Sequence, residues 1–157
     1  MSSYEKLAIP LVKPDNPVLR KVAEEVTADE LKNINDTKDN IVKDMLITML
    51  HLKAVGLAAP QIGISKRILV AKEPNNAGAV ILINPVIVKE SKKVGTAMEG
   101  CLSCPGASVA ITRPKEVKVR STKFDGTTEV LKYRGLLGRE IQHEVDHLNG
   151  RLITDEN

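Results

Sequence analysis

The chain has 157 residues, 42% of them hydrophobic and 27% charged, and its 23 basic and 20 acidic side chains give a formal charge of +3. That is enough chain for one core and one domain, and the balance excludes a disordered segment. With no Trp, one Phe and two Tyr, the core has to be aliphatic, a surface that stacks bases on aromatics is excluded, and the dispersed basic residues predict no specific nucleic-acid partner.

The opening MSSYEKLAIPLVKP lacks a charged stretch followed by an apolar one, and no later run is long enough to span a bilayer. These features predict a cytoplasmic protein with no membrane association. Pro10, Pro14 and Pro17 keep the start extended, and residues 18–26 can form a short turn or helix. Thr27 is a good cap ahead of Ala28, Asp29 and Glu30. Leu31, Ile34, Ile41, Met45, Met49 and Leu52 then recur at helical spacing. The spacing predicts a long amphipathic helix over 27–53, with a polar stretch at 33–39 that admits a break into two pieces.

The middle of the chain changes period. Ile68-Leu69-Val70, Val80-Ile81-Leu82-Ile83 and Val86-Ile87-Val88 are short β-branched runs bounded by Pro, Gly and Asn, and they read as strands. Val117 and Val119 alternate with charged neighbours, and Asp125-Gly126 separates them from Val130-Leu131, a hairpin pattern. From Leu136 onward, Leu137, Ile141, Val145 and Leu148 form one apolar helical face that Gly150 stops. The expected fold is α+β, a single domain over 1–157, with antiparallel strands packed around a C-terminal metal-binding helix and preceded by an N-terminal helix.

That last helix carries His143-Glu144-Val145-Asp146-His147, an H-E-x-x-H. Residues four apart share a helix face, so both imidazoles can reach one cation while Glu144 stands beside its water. Ile141, Val145 and Leu148 turn to the core, which leaves the two His and the Glu on the adjoining face. A site of this type needs a third protein ligand. Downstream, the only acids are Asp155 and Glu156, close to the last residue, and Ile153 stands where a longer zinc-protease pattern has a third His. The upstream candidates are Cys101, Cys104 and His51, and a thiolate is favoured over His51, which sits at the end of an apolar-rich helix. Cys101 and Cys104 also form a C-x-x-C, open to reading as a redox pair or half of a structural zinc site. No other cysteine supplies the second half, and Pro105-Gly106 disfavours the helix a redox pair would open.

Three separated segments resemble the peptide deformylase family: Gly56-Leu57-Ala58-Ala59-Pro60-Gln61, Glu99-Gly100-Cys101-Leu102-Ser103, and Gln142-His143-Glu144-Val145-Asp146-His147-Leu148. The resemblance implies hydrolysis of the N-formyl group of N-formylmethionyl nascent chains, with release of formate. It implies that Cys101, His143 and His147 hold one divalent metal ion, that Glu144 is the acid/base, and that Gln61 and the backbone N–H of Leu102 point at the formyl oxygen. Val55, Gly56, Leu136 and Glu140 fall at its substrate-binding positions. Ligand rules alone suggest zinc, whereas the resemblance implies ferrous iron as the native ion, with zinc, nickel or cobalt as other occupants. A monomer working near the ribosome is expected, without the C-terminal docking helix of some bacterial relatives. The chain departs from the family pattern at Ala54, where a Gly often stands, and at Ala97 and Glu140, where apolar residues usually line a methionine pocket. A peptide-contacting arginine lies shortly beyond the second segment in some members, but here the next arginine is Arg113.

Overall fold

The computed structural model describes residues 8–34, 40–75 and 78–155. Near the start, the Asn16 side chain accepts the Val18 N–H at 3.0 Å and opens a 3-10 turn, Pro17–Arg20. Thr27 and Glu30 then exchange side-chain and backbone hydrogen bonds, each 3.2 Å long, in a reciprocal cap. This cap starts helix α1, Ala28–Ile34. Helix α2, Ile41–His51, has its own cap, with Asn40 Oδ1 accepting the Lys43 N–H. The helix expected over 27–53 is therefore two helices, and residues 35–39 lie outside the described residues.

Strands β1 (Gly56–Ala58), β2 (Ile68–Lys72), β3 (Ala79–Glu90), β6 (Glu116–Thr122) and β7 (Thr128–Arg134) form an antiparallel sheet in the order β1-β2-β3-β6-β7. Strands β4 (Val94–Gly100) and β5 (Ser108–Pro114) form a separate two-stranded ribbon. The chain closes with helix α3, Gly135–Leu148. Side chains of a strand alternate between faces, and the sheet uses that period to build two cores. Leu57, Ile68, Val70 and Ile83 pack with Met45 and Met49 of α2 on one face. Ala58, Leu69, Ala71, Leu82, Val117 and Val119 pack with Ile141, Val145 and Leu148 of α3 on the other. Ile141 and Leu148 are fully buried, and each such side chain contributes roughly 1.5–3 kcal/mol.

The predicted hairpin is present as β6–β7, and the helix over 136 onward as α3. Two features differ from the sequence reading. The runs 80–83 and 86–88 are one strand, in which Asn84 adopts a positive φ of 51° and the register shifts between Ile83 and Val86. The Asn84 amide holds that irregularity by pairing with both the N–H and the C=O of Val26, at 2.8 and 3.0 Å. The β4–β5 ribbon was not expected. One side of it faces solvent, so its inward residues are few and include the polar Glu99 and Arg113. Val109 and Ile111 of β5 alternate with outward-facing neighbours, but β4 carries no apolar run.

Candidate active site

Burying Ile141, Val145 and Leu148 against the sheet turns the next face of α3 toward the end of β4. On that face His143, Glu144 and His147 are all buried. Cys101 follows directly on β4, and its Sγ lies 3.3 Å from His147 Nε2. One donor atom each from Cys101, His143 and His147 falls within 4.8 Å of the others. The two imidazoles stand edge to face with centroids 5.0 Å apart.

The His143 ring is oriented from behind. Its Nδ1 contacts Glu99 Oε1 at 3.0 Å, which leaves Nε2 for the site. Arg113 forks onto the same carboxylate at 2.7 and 2.8 Å and also reaches Asp146 at 2.8 Å. Arg139 adds a contact of 2.6 Å to Glu99 and donates to the Ile111 and Gly95 carbonyls. One buried carboxylate thus ties the ribbon to α3. Burial would raise its pKa, but Arg113, His143 and Arg139 outweigh that and hold it well below the usual carboxylate range.

Burial likewise disfavours ionised Cys101, yet His143 and His147 bring its thiol down to about 5. Burial opposes a charge on His143, and Cys101 and Glu99 carry it up to about 11. This lowering favours the thiolate, the form of cysteine that binds metal. Behind it, the Glu144 carboxyl is pushed well above its ordinary range by burial, against His143 and with Glu140 adding to the rise. Among the described residues, Glu144 Oε2 and His147 Nδ1 are buried polar atoms without a hydrogen-bond partner. A thiolate and two imidazole nitrogens, converging beside an unpartnered carboxylate oxygen, fit a divalent ion with an open position for water.

Gln61 approaches from the opposite side, out of the 3-10 turn Ala59–Ile62 that follows β1. Its Oε1 accepts the Ala58 N–H at 2.9 Å, so the amide NH₂ is turned toward Ser103 Oγ at 3.0 Å and Cys101 Sγ at 3.9 Å. Gly56 lets β1 approach α3 closely, since a Cβ there would fall 2.5 Å from Glu140 Oε1 and 2.9 Å from Glu144 Oε1. Two clefts open onto this centre. One of about 570 Å³ is lined by Gln61, Cys101, Leu102 and Glu144, and a second of about 440 Å³ by Met98, Leu136 and Arg139. Val55, Glu140 and His143 line both.

Every residue expected from the sequence to act in the site lies in or beside these clefts. His51 does not reach it, and is exposed at the end of α2. Cys104 packs with Ile111, Leu152 and Ile153 beside Cys101, and burial and the neighbouring Cys101 raise its thiol pKa. Ala97 lines neither cleft, and Met98 takes that place. Arg113 is spent on Glu99 and Asp146 behind the ligands. The roles of Ser103, Arg113 and Arg139 were not read from the sequence, because each acts through a partner 14 to 42 residues away.

The polypeptide deformylase family model matches residues 8–157. The chain belongs to that family. It is 42% identical over 141 residues to the peptide deformylase of Natranaerobius thermophilus, covering 90% of this chain and 86% of the relative. The crystal structure of the Thermotoga maritima peptide deformylase aligns with a TM-score of 0.83 at 39% identity, covering 93% of this chain and 95% of that one. A class I type b peptide deformylase from Acinetobacter baumannii, bound to Met-Ala-Ser, aligns at 0.82 and 34% identity over 93% and 97%. The family is metal-dependent, and its members are hydrolases that remove the N-formyl group from nascent polypeptides; this chain is such an enzyme. None of its described helices is long and apolar enough to cross a membrane.

Proposed function

We propose that Cys101, His143 and His147 are the protein ligands of one divalent ion, that Glu144 moves the protons, and that Gln61 and the Leu102 N–H receive the formyl oxygen. The observation that carries this reading is the buried Glu144 carboxylate, unpartnered at Oε2, beside three converging ligand atoms. When bound there, a divalent ion would lower the pKa of a water and add positive charge to the site. Glu144 would accept the proton of the attacking water as the water oxygen bonds to the formyl carbon. The oxygen of the resulting tetrahedral species takes hydrogen bonds from Gln61 Nε2 and the Leu102 N–H. Gln61 is suited to this because its Oε1 is committed to Ala58, which turns its NH₂ toward Ser103 Oγ and Cys101 Sγ at the site. Glu144 then returns the proton to the departing α-amine, and the C–N bond breaks to leave formate and a free amino terminus.

The N-formylmethionyl peptide lies across the two clefts, with Val55 and Gly56 along one side and Leu136 and Glu140 along the other. Native ferrous iron, exchangeable for zinc, nickel or cobalt, is the ion; a thiolate with two imidazoles suits each of these. Residues 1–157 act as one catalytic domain, as a monomer in the cytoplasm.

The test is formate release from formyl-Met peptides by protein purified without oxygen, with metal content determined on the same sample. Acetyl-Met and unmodified peptides should give no product. Equal turnover of the acetylated peptide would overturn the assignment of the formyl group.

A further inference from the structure

Basic residues that are scattered in the sequence are gathered by strand register onto one sheet face. Lys118 of β6 stands opposite Lys89 of β3 and Lys132 of β7, so three lysines form a single row across three strands. In the neighbouring rows Arg120 lies between Val86 and Val130, and Arg134 faces Glu116. This side of the sheet is opposite to Val117 and Val119, which are buried under α3. Among the described residues, helix α2 packs on β1 and β2, and on the β3, β6 and β7 part of the face Lys89, Arg120, Lys132 and Arg134 are exposed.

At these register positions Lys89, Lys118, Arg120, Lys132 and Arg134 meet one acid, Glu116, which pairs with Lys132 at 3.5 Å. The acids Glu90 and Glu129 pair with Val117 and Ser121, and so belong to the other face. Beyond Arg134 the basic face runs into a groove of about 510 Å³ lined by Lys92, Lys93 and Lys115 as well as Glu116.

Like charges directly opposite one another destabilise a sheet. Lysines on an edge strand are common protection against edge-to-edge pairing, but of the three only Lys132 is on an edge, since β7 ends the sheet and β6 and β3 are interior. Protection of the edge therefore does not account for the row. We propose that the outward face of β3, β6 and β7 is a docking surface for the phosphate backbone of duplex RNA.

The chemistry favours that partner. Side chains two apart along a strand are about 7 Å apart, and strands are about 4.8 Å apart, which gives a flat grid of cations suited to backbone phosphates. Tyr133 points to the buried side and no other aromatic occupies these rows, so bases have nothing to stack on and recognition is of shape and charge. A membrane surface is less suited, because the apolar side chains of this face, Val86, Val88 and Val130, are small and stand among cations, and no anchoring aromatic lies at the paired positions.

The experiment is fluorescence anisotropy of a labelled RNA duplex of about 20 base pairs, a length that exceeds the span of one small RNA-binding domain. Wild-type protein should bind, and affinity should fall roughly 10²-fold between about 50 and about 200 mM salt, as expected for about four or five phosphate contacts. Lys118→Glu with Lys132→Glu should weaken binding at least about 10-fold and flatten the salt slope by about two contacts. Lys118→Gln with Lys132→Gln, a milder change, should do the same in part. Both should hydrolyse free formyl-Met peptides as wild type does, which keeps this test separate from that of the catalytic site. The proposal is overturned by wild-type protein that leaves the duplex unbound at low salt. It is also overturned by variants that bind like wild type, or by tighter binding to phosphatidylserine vesicles than to RNA.

Discussion

Glu99 and His143 are joined by a buried 3.0 Å contact in which the carboxylate fixes the imidazole ring and is itself clamped by Arg113 and Arg139. Glu99→Gln would keep the shape and remove the charge. Losing such a partner behind a metal-binding histidine typically costs about 10 to 100-fold in metal affinity. It also leaves Arg113 buried without its main counter-ion, a loss of about 3 kcal/mol or more. Competition with a metal chelator and denaturant unfolding measure the two effects separately.

The same contact sets a pH dependence. The folded pKa of Glu99 is depressed relative to an unfolded value of about 4.3. Its contribution to stability is therefore fully present above that pH and is lost as pH falls toward the folded pKa. Unfolding free energy measured from pH 6 downward should drop for wild type below about pH 4.3 and drop less steeply for Glu99→Gln. Parallel curves would show that Glu99 titrates alike in both states.

Gly56→Ala places a Cβ against two carboxylates. Glu140 is half-buried and can swing aside, whereas Glu144 is 2% exposed and cannot. The variant should fold, hold metal and lose kcat by about 10-fold or more, the scale reached when a reacting group is displaced by a fraction of an ångström. Adding Glu140→Ala should recover part of the loss, and steady-state kinetics on the pair measures the recovery.

Cys101 is the proposed ligand and Cys104 is not, although they are three residues apart. Cys104→Ser should retain nearly stoichiometric metal and most activity, with a stability loss of about 1 kcal/mol from placing a hydroxyl among Ile111, Leu152 and Ile153. Cys101→Ser should lose metal and activity together. Metal analysis of both proteins reads the difference directly.

Glu140 lines both clefts, and a carboxylate there disfavours an apolar methionine side chain. Glu140→Ala should therefore lower KM for formyl-Met peptides. An unchanged or raised KM would mean that Glu140 does not meet that side chain.

The parts of the fold that rest on local periodicity were legible in the sequence. Ile141, Val145 and Leu148 announce α3, and once that face is buried the positions of His143, Glu144 and His147 follow. The Thr27 cap and the Asp125-Gly126 turn are equally local. The ribbon was not read from the sequence: Val94 to Gly100 has no apolar run and is a strand through its pairing with β5, whose short Val109 and Ile111 alternation was passed over. Nor was the lysine row, which exists only once Lys89, Lys118 and Lys132 are brought into register. Choosing Cys101 over Cys104 from the sequence needed the family resemblance, since spacing alone left both open.

In the proposed mechanism Glu144 carries the protons without holding the metal. Glu144→Gln keeps the side chain's shape in its buried position and removes its basicity, so fold and metal content should match wild type. Acid/base groups typically contribute about 10² to 10⁴ in rate, and a residue used in both proton steps belongs at the upper end. The measurement is kcat for formyl-Met peptide hydrolysis with metal quantified on the same sample. A metal-replete protein slowed by about 10⁴-fold is expected; a metal-replete Glu144→Gln within a few-fold of wild type would rule out Glu144 as the proton carrier.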